Sequence, residues 1–299
     1  MFRKYSYYLK LLLTVLLLVL LLQLVDIQKL IGTFREANYF YIGIALLSIP
    51  LMIILKAYKW QILLKSFWQE TSFKIACRSY LCGFAIGIIT PAKIGEISRS
   101  LFLPYEENLK IISLVILDRY CDLIILIFLS IVGVTHFTGI KIGIIVFLAG
   151  LFGMTLIFIY PVILEVLNKK DYKLIWISKI LKMQKDFNKI TPKIFLKSLL
   201  ISFGYFLLSI TTSFLLLSSF TNVPFSVVLK VFPLTLLTNI IPITVGNLGV
   251  REGATIFLLN NFKISSAAAF NCSILLFFLH SIIPALLGSL LINLRIKKT

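Results

Sequence analysis

The amino-acid sequence predicts an all-α membrane protein. It should have about six full transmembrane helices plus two re-entrant helical hairpins in an inverted repeat, eight apolar segments in all, within a single transmembrane domain over residues 1–299. Three observations lead there: the hydropathy of the chain, the placement of its lysines and arginines, and a pair of similar proline–glycine breaks in opposite halves.

Hydrophobic residues make up 59% of the 299 and charged residues only 14%, with a mean hydropathy of +1.00. Soluble domains are about 45–50% apolar and about 25% charged. The charges are also bunched, so that Ile142–Leu164 and Ser198–Leu229 carry none. A bilayer core requires about 20 mostly apolar residues per helix. Six segments meet this: Leu9–Val25, Tyr39–Tyr58, Ile111–Phe137, Ile142–Leu164, Phe195–Phe220 and Ser266–Leu294. Two further apolar stretches are short or broken: Ile75–Thr90, and Pro224–Phe262 with Pro233, Pro242, Gly246 and Gly249 inside it. The alternation of a transmembrane β-barrel is absent. Arg3, Lys4 and Lys10 ahead of the first apolar run resemble a signal peptide. The residues after it, Gln23, Leu24, Val25 and Asp26, offer no small-residue cleavage site, so the run reads as an uncleaved span.

The net charge of +18 reads as membrane orientation and not as nucleic-acid binding. Cytoplasmic loops carry the Lys/Arg excess. Residues 1–10 hold three basic residues and no acid, 56–78 sum to +4, 165–197 to +6, and the end carries Arg295, Lys297 and Lys298. Residues 26–38 sum to zero and 220–224 hold no charge. Six full spans put every basic stretch on the cytoplasmic face of the cell (inner) membrane, with both termini inside. The first broken stretch must then enter from the cytoplasm and return, and the second must enter from outside and return. Counting either as one full span would put a lysine-rich stretch on the wrong face. Within 165–194, Trp176, Ile180, Met183, Phe187 and Ile190 recur at helical spacing with lysines mostly off the stripe. This predicts a basic amphipathic cytoplasmic segment lying on anionic lipid; the alternative is a solvated loop.

The two breaks share an order. One reads Pro91-Ala-Lys93-Ile-Gly95-Glu96-Ile-Ser98-Arg99, the other Pro242-Ile-Thr244-Val-Gly246-Asn247-Leu-Gly249-Val-Arg251-Glu252. Proline ends a helix and glycine permits a sharp reversal. Irregular backbone at membrane depth survives only where protein or water covers it, and a charge there is a functional candidate. Paired discontinuous segments in corresponding halves point to a central binding site. The repeat units would be Tyr39–Phe137 and Phe195–Leu294, with Gly95 and Gly246 deep at the hairpin tips; the alternative is two interfacial loops. Asp118 and Asp122, four apart, share a helix face, and Arg119 lies beside them. They read either as part of the site or as an ion network holding the first hairpin. His280 reads as a hydrogen-bonded packing residue or a proton relay. Cys77, Cys82, Cys121 and Cys272 lie in apolar segments and read as small fillers; no metal-ligand spacing or cofactor motif is visible, so no metal or cofactor is expected.

These motifs, Thr90-Pro91-Ala-Lys93-Ile-Gly95-Glu96-Ile-Ser98-Arg99, then Asp118-Arg119-x-x-Asp122, then Pro242-x-x-x-Gly246-Asn-Leu-Gly249-Val-Arg251-Glu252-Gly253, occur in the order that resembles the lysylphosphatidylglycerol synthase transmembrane-region family of flippase-like proteins. Asn247 stands where a second glycine is common in that family, and Asp118 where Glu is frequent. The resemblance covers nearly the whole chain and implies lipid handling: translocation of a phospholipid or lipid-linked saccharide between leaflets in cell-envelope biogenesis. Arg99, Arg119 and Arg251 would bind phosphate. Glu96, Asp118, Asp122 and Glu252 would orient them and could contact an amine or sugar, with Asn247 beside the second hairpin. The partners expected are the translocated membrane lipid and anionic lipid at the basic face, not nucleic acid. The family name also suggests a phosphatidylglycerol lysyltransferase; that chemistry needs a soluble synthase domain, for which the 299 residues leave no room, so a non-enzyme is expected. A non-transporting assembly factor of a glycolipid pathway is the third reading.

Overall fold

The computed structural model describes residues 12–168 apart from 13, 18 and 24, then 190–238 and 244–296. Every regular element among them is helical. In chain order these are α1 (Thr14–Gln23), α2 (Ile27–Arg35), α3 (Tyr39–Lys65), α4 (Phe73–Ile89), a 3₁₀ stretch Pro91–Phe102, α5 (Asn108–Thr138), α6 (Ile140–Asn168), α7 (Pro192–Ser218), α8 (Phe225–Leu237), a short turn Val245–Asn247, α9 (Val250–Asn260), α10 (Ser266–Phe277), a π turn Phe278–Ile282, and α11 (Ile283–Ile296).

Local chemistry sets the helix starts. The side chains of Asn38, Ser72, Thr191 and Ser265 accept hydrogen bonds from backbone N–H groups of the first turns of α3, α4, α7 and α10. Pro192 follows at the first position of α7, where a missing N–H costs nothing. Among the described residues, three helices have the length and hydropathy of a complete span: Tyr39–Lys65, Pro192–Ser218 and Ser266–Asn293. α1 and α2 together form a fourth candidate, bent by 78°. α5 is 31 residues long and carries charges in its first half. α8 is a shorter apolar helix of 13 residues. The predicted segment 165–194 falls largely outside the described residues, as does Pro242.

The helices pair in a reciprocal way. α3 packs along α7, the first long helix of one half against that of the other, and Thr212 Oγ1 donates to Ser48 Oγ at 2.9 Å across the contact. α4 packs on α11, and α5 packs on α8. Each half therefore lays its last helix against the first leg of the other half's broken segment. Both crossings use a glycine. A Cβ on Gly133 of α5 would collide with the carbonyl of Lys230 and with Leu234, and one on Gly288 of α11 with the carbonyl of Leu81 and with Ala85. Small residues of this kind let helix backbones approach where water supplies no hydrophobic drive. The two larger apolar clusters lie one around Trp60, Leu114 and Leu117, the other around Leu216, Val228 and Cys272.

Gly133→Ala and Gly288→Ala should each lower the thermal midpoint of the detergent-purified protein, at a cost of about 1–3 kcal/mol. Gly204→Ala, where an added Cβ meets nothing within 4 Å, should leave the midpoint unchanged or slightly raised. Equal shifts for all three would refute glycine-mediated crossing.

Candidate functional site

The first hairpin is built by glycine. α4 ends at Ile89, Thr90 caps it, and Pro91 opens a 3₁₀ return leg of twelve residues, long for a conformation seldom sustained beyond three or four. With three residues per turn, side chains three apart eclipse, so Glu96 and Arg99 share one face and pair at 2.8 Å. That face lies on α4 at Gly83 and Gly87, one helical turn apart. A Cβ on Gly83 would strike Arg99 Cγ, and one on Gly87 would lie 2.6 Å from Glu96 Cγ. Gly95 is equally constrained, since a Cβ there would sit 2.6 Å from the Ile86 carbonyl oxygen. Its N–H donates to Thr90 Oγ1 at 2.7 Å. The reversal thus occurs at Thr90–Pro91, and Gly95 lies half-buried where the two legs touch, not deep at the tip as expected from sequence.

Arg99 is fully enclosed. It donates to Glu96 (2.8 Å) and Asp118 (3.0 Å), and its guanidinium lies 4.9 Å from the ring centres of both Trp60 and Tyr80. Arg119, one residue beyond Asp118 on α5, grips both oxygens of Glu96 through Nε (2.9 Å) and Nη2. Its side chain stays 40% exposed, against 0% for Arg99. That difference separates a structural arginine from an accessible one.

Sequence reasoning missed Lys56 and Lys59. The charge count places both in the basic 56–78 stretch facing the cytoplasm, but α3 runs to Lys65 and carries them inside the protein. Lys59 Nζ lies 2.7 Å from Asp118 Oδ1 and 2.7 Å from Asp122 Oδ1, and donates to Ser202 of α7 at 2.9 Å. Lys56 pairs with the second oxygen of Asp122 and stands 4.1 Å from the ring centre of Tyr205. Without these two, the 56–78 stretch keeps Lys65, Lys74 and Arg78 against Glu70, a net +2. The available signal was apolar continuation: Ile62, Leu63 and Leu64 carry the helical pattern past both lysines.

The second hairpin reverses through left-handed backbone at Gly246 (φ 62°), Asn247 (φ 60°) and Gly249 (φ 85°). Gly246 is needed for its φ and not for space; like Gly95 it is half-buried. α9 then begins with half of a capping box, Gly249 N–H donating to Glu252 Oε2 at 2.6 Å with no N-cap side chain to return the bond. Arg251 pairs with Glu252, donates through Nε to Ser273 at 3.2 Å, and lies 5.0 Å from the Phe277 ring centre. Asn247 Nδ2 donates to Thr238 at 2.9 Å. The Val245–Asn247 turn touches both α4 and the 3₁₀ leg, so the two breaks meet.

Between the apolar clusters lies one cavity of about 360 Å³ whose wall includes Arg99, Arg119, Arg251, Glu96, Asp118 and Asp122, drawn from both halves. Glu252 and Asn247 are buried outside that wall. Lys56, His280 and Ser281 also face it. The arginines and carboxylates singled out from sequence would sum to −1. With the two lysines, five cations stand against four carboxylates, and the network is net positive. His280 Nε2 is buried without a hydrogen-bond partner among the described residues, which departs from the hydrogen-bonded packing role.

The family model for the lysylphosphatidylglycerol synthase TM region matches residues 7–288. The chain belongs to this family. No curated protein matched it. The family match spans both hairpins and the whole cavity wall. Together with the apolar helices it makes the chain a multi-pass membrane protein and points to lipid metabolism or envelope biogenesis.

Lys59→Met leaves the buried Asp118 and Asp122 short of a partner and should cost about 3–5 kcal/mol. Lys65→Met, at an exposed position, should be near neutral. Adding Asp118→Asn to Lys59→Met should recover part of the loss, and simple additivity in thermal unfolding would show that the two groups do not interact.

Proposed function

We propose that this chain moves a phospholipid or lipid-linked saccharide between the leaflets of the cell (inner) membrane during envelope biogenesis. The observation that carries the proposal is a net-positive cavity enclosed in an otherwise apolar helical protein. Charge at membrane depth is costly and persists where it meets a charged cargo or partner. Planar guanidinium groups match phosphate oxygens in a bidentate way. Arg119 and Arg251 take the phosphate in this reading. Arg99, closed in by Trp60 and Tyr80, holds the first hairpin in place. The acyl or prenyl chains stay in the bilayer throughout.

The reciprocal pairing of α4 with α11 and α5 with α8 supports an inverted repeat, in which the hairpins enter from opposite faces and meet at the site. Both termini are then cytoplasmic, and residues near Asn222 face outward.

Purified protein in proteoliposomes should make inner-leaflet fluorescent lipid accessible to an external quencher. Arg119→Ala and Arg251→Ala should fold and insert yet lose most of that rate. Absence of any wild-type acceleration over empty liposomes would overturn the function, and full-rate variants would overturn the site.

Orientation has its own test. A cysteine placed at Asn222 in intact cells should react with a membrane-impermeant maleimide, and one at Lys193 should react only after lysis. The reverse pattern would contradict the inverted topology.

A further inference from the structure

We infer that the cavity is selective for a head group joined through a singly charged phosphodiester and carrying hydroxyls instead of an amine, with His280 and Ser281 of the π turn contacting those hydroxyls. This rests on the lipid-translocation reading and names its substrate class.

Carboxylate occupancy comes first. An ammonium group brought into a buried site needs a free carboxylate or several acceptors to replace its hydration. Every carboxylate here is already engaged. Glu96 is held by Arg99 and Arg119, and Asp118 by Lys59 and Arg99. Asp122 is held by Lys56, Lys59 and Ser202, and Glu252 by Arg251 and the Gly249 N–H. The excess of one positive charge further disfavours a cation, and it balances a single phosphodiester charge.

Donor and acceptor supply in the wall leads to the same class. The Nη1 groups of Arg119 and Arg251 form no hydrogen bond among the described residues, and both side chains line the cavity. They offer one charge-assisted donor from each half. Arg99 Nε and Asp118 Oδ1 also lack a hydrogen bond but belong to groups already held in the ion network; the other unpaired polar groups in the wall are neutral: Tyr80 Oη, Tyr205 Oη, Ser209 Oγ, Ser281 Oγ and His280 Nε2. A hydroxyl can donate to one partner and accept from another, so a set of such groups suits a polyol. A buried, unpaired ring nitrogen is costly unless something bonds it. His280 and Ser281 are adjacent in the Phe278–Ile282 π turn, a distortion frequent at functional sites.

The experiment uses the full chain in non-ionic detergent, with affinities measured calorimetrically for soluble short-chain lipids. The probes are phosphatidylglycerol, phosphatidylethanolamine, phosphatidylmethanol (a phosphodiester without hydroxyls), and a short isoprenyl phosphoglucose. Phosphatidylglycerol, the phosphoglucose or both should bind at least about tenfold tighter than phosphatidylethanolamine; which of them does so identifies a glycerolipid or a lipid-linked sugar as the source. His280→Ala should weaken the hydroxyl-bearing ligand by about tenfold and leave phosphatidylmethanol unchanged, while His280→Gln retains most of the affinity. Equal or tighter binding of phosphatidylethanolamine would overturn the selectivity. Equal loss for phosphatidylmethanol in His280→Ala would reduce His280 to a packing role. The result is separable from transport. Selective binding without lipid movement in proteoliposomes would refute translocation alone, and equal movement and binding of both lipids would refute this inference alone.

Discussion

The arrangement depends on Lys59 and the two aspartates it bridges. A lysine in the middle of an apolar helix is tolerable only with its charge matched, and Lys59 is matched twice, by Asp118 and Asp122 one turn apart on α5. That cluster extends through Arg99 to Glu96 and then to Arg119, so α3, α5 and the 3₁₀ leg share one set of charges. Ser202 brings in α7 from the other half. Removing a member strands a charge in low dielectric, where replacement of the whole cluster by apolar residues would cost far less. The cluster's exposed end, Arg119, lies in the cavity wall.

Glycine and charge act together in the first hairpin. Gly83 and Gly87 give up side chains so that Arg99 and Glu96 can lie against α4, and the 3₁₀ period keeps those two residues on one face. The acidic partners on α5 then need only helical spacing to reach them. The cavity is what remains where the return leg, α5, α7 and the start of α9 fail to close.

Much of this was legible in the sequence. Phe195–Phe220 lies within two or three residues of Pro192–Ser218, because an apolar run bounded by Thr191-Pro192 is a strong start signal. The pairing of two proline–glycine breaks was legible because both breaks place an arginine beside a glutamate, a costly combination in lipid. Lys56 and Lys59 were not. Hydropathy treats any lysine as aqueous, and their partners lie more than sixty residues away, at Asp122. The 3₁₀ leg and the π turn were hidden for a related reason. Neither has a local propensity signal; Phe278-Leu279-His280-Ser281-Ile282 reads as ordinary apolar helix, and only its packing shows otherwise.

The two hairpins are fastened very differently. The first is tied by ion pairs to α5: Arg99 to Asp118 and Arg119 to Glu96. The second closes its charge within itself, Arg251 to its own neighbour Glu252, and its polar ties to α10 are hydrogen bonds with Ser273 and the contact of Arg251 with the Phe277 ring. Swinging the first hairpin away would separate buried opposite charges; displacing Arg251 and Glu252 from α10 together would break no ion pair. The first hairpin is therefore held to its neighbours by charge, whereas the second is electrically self-contained, its arginine neutralised within its own first turn.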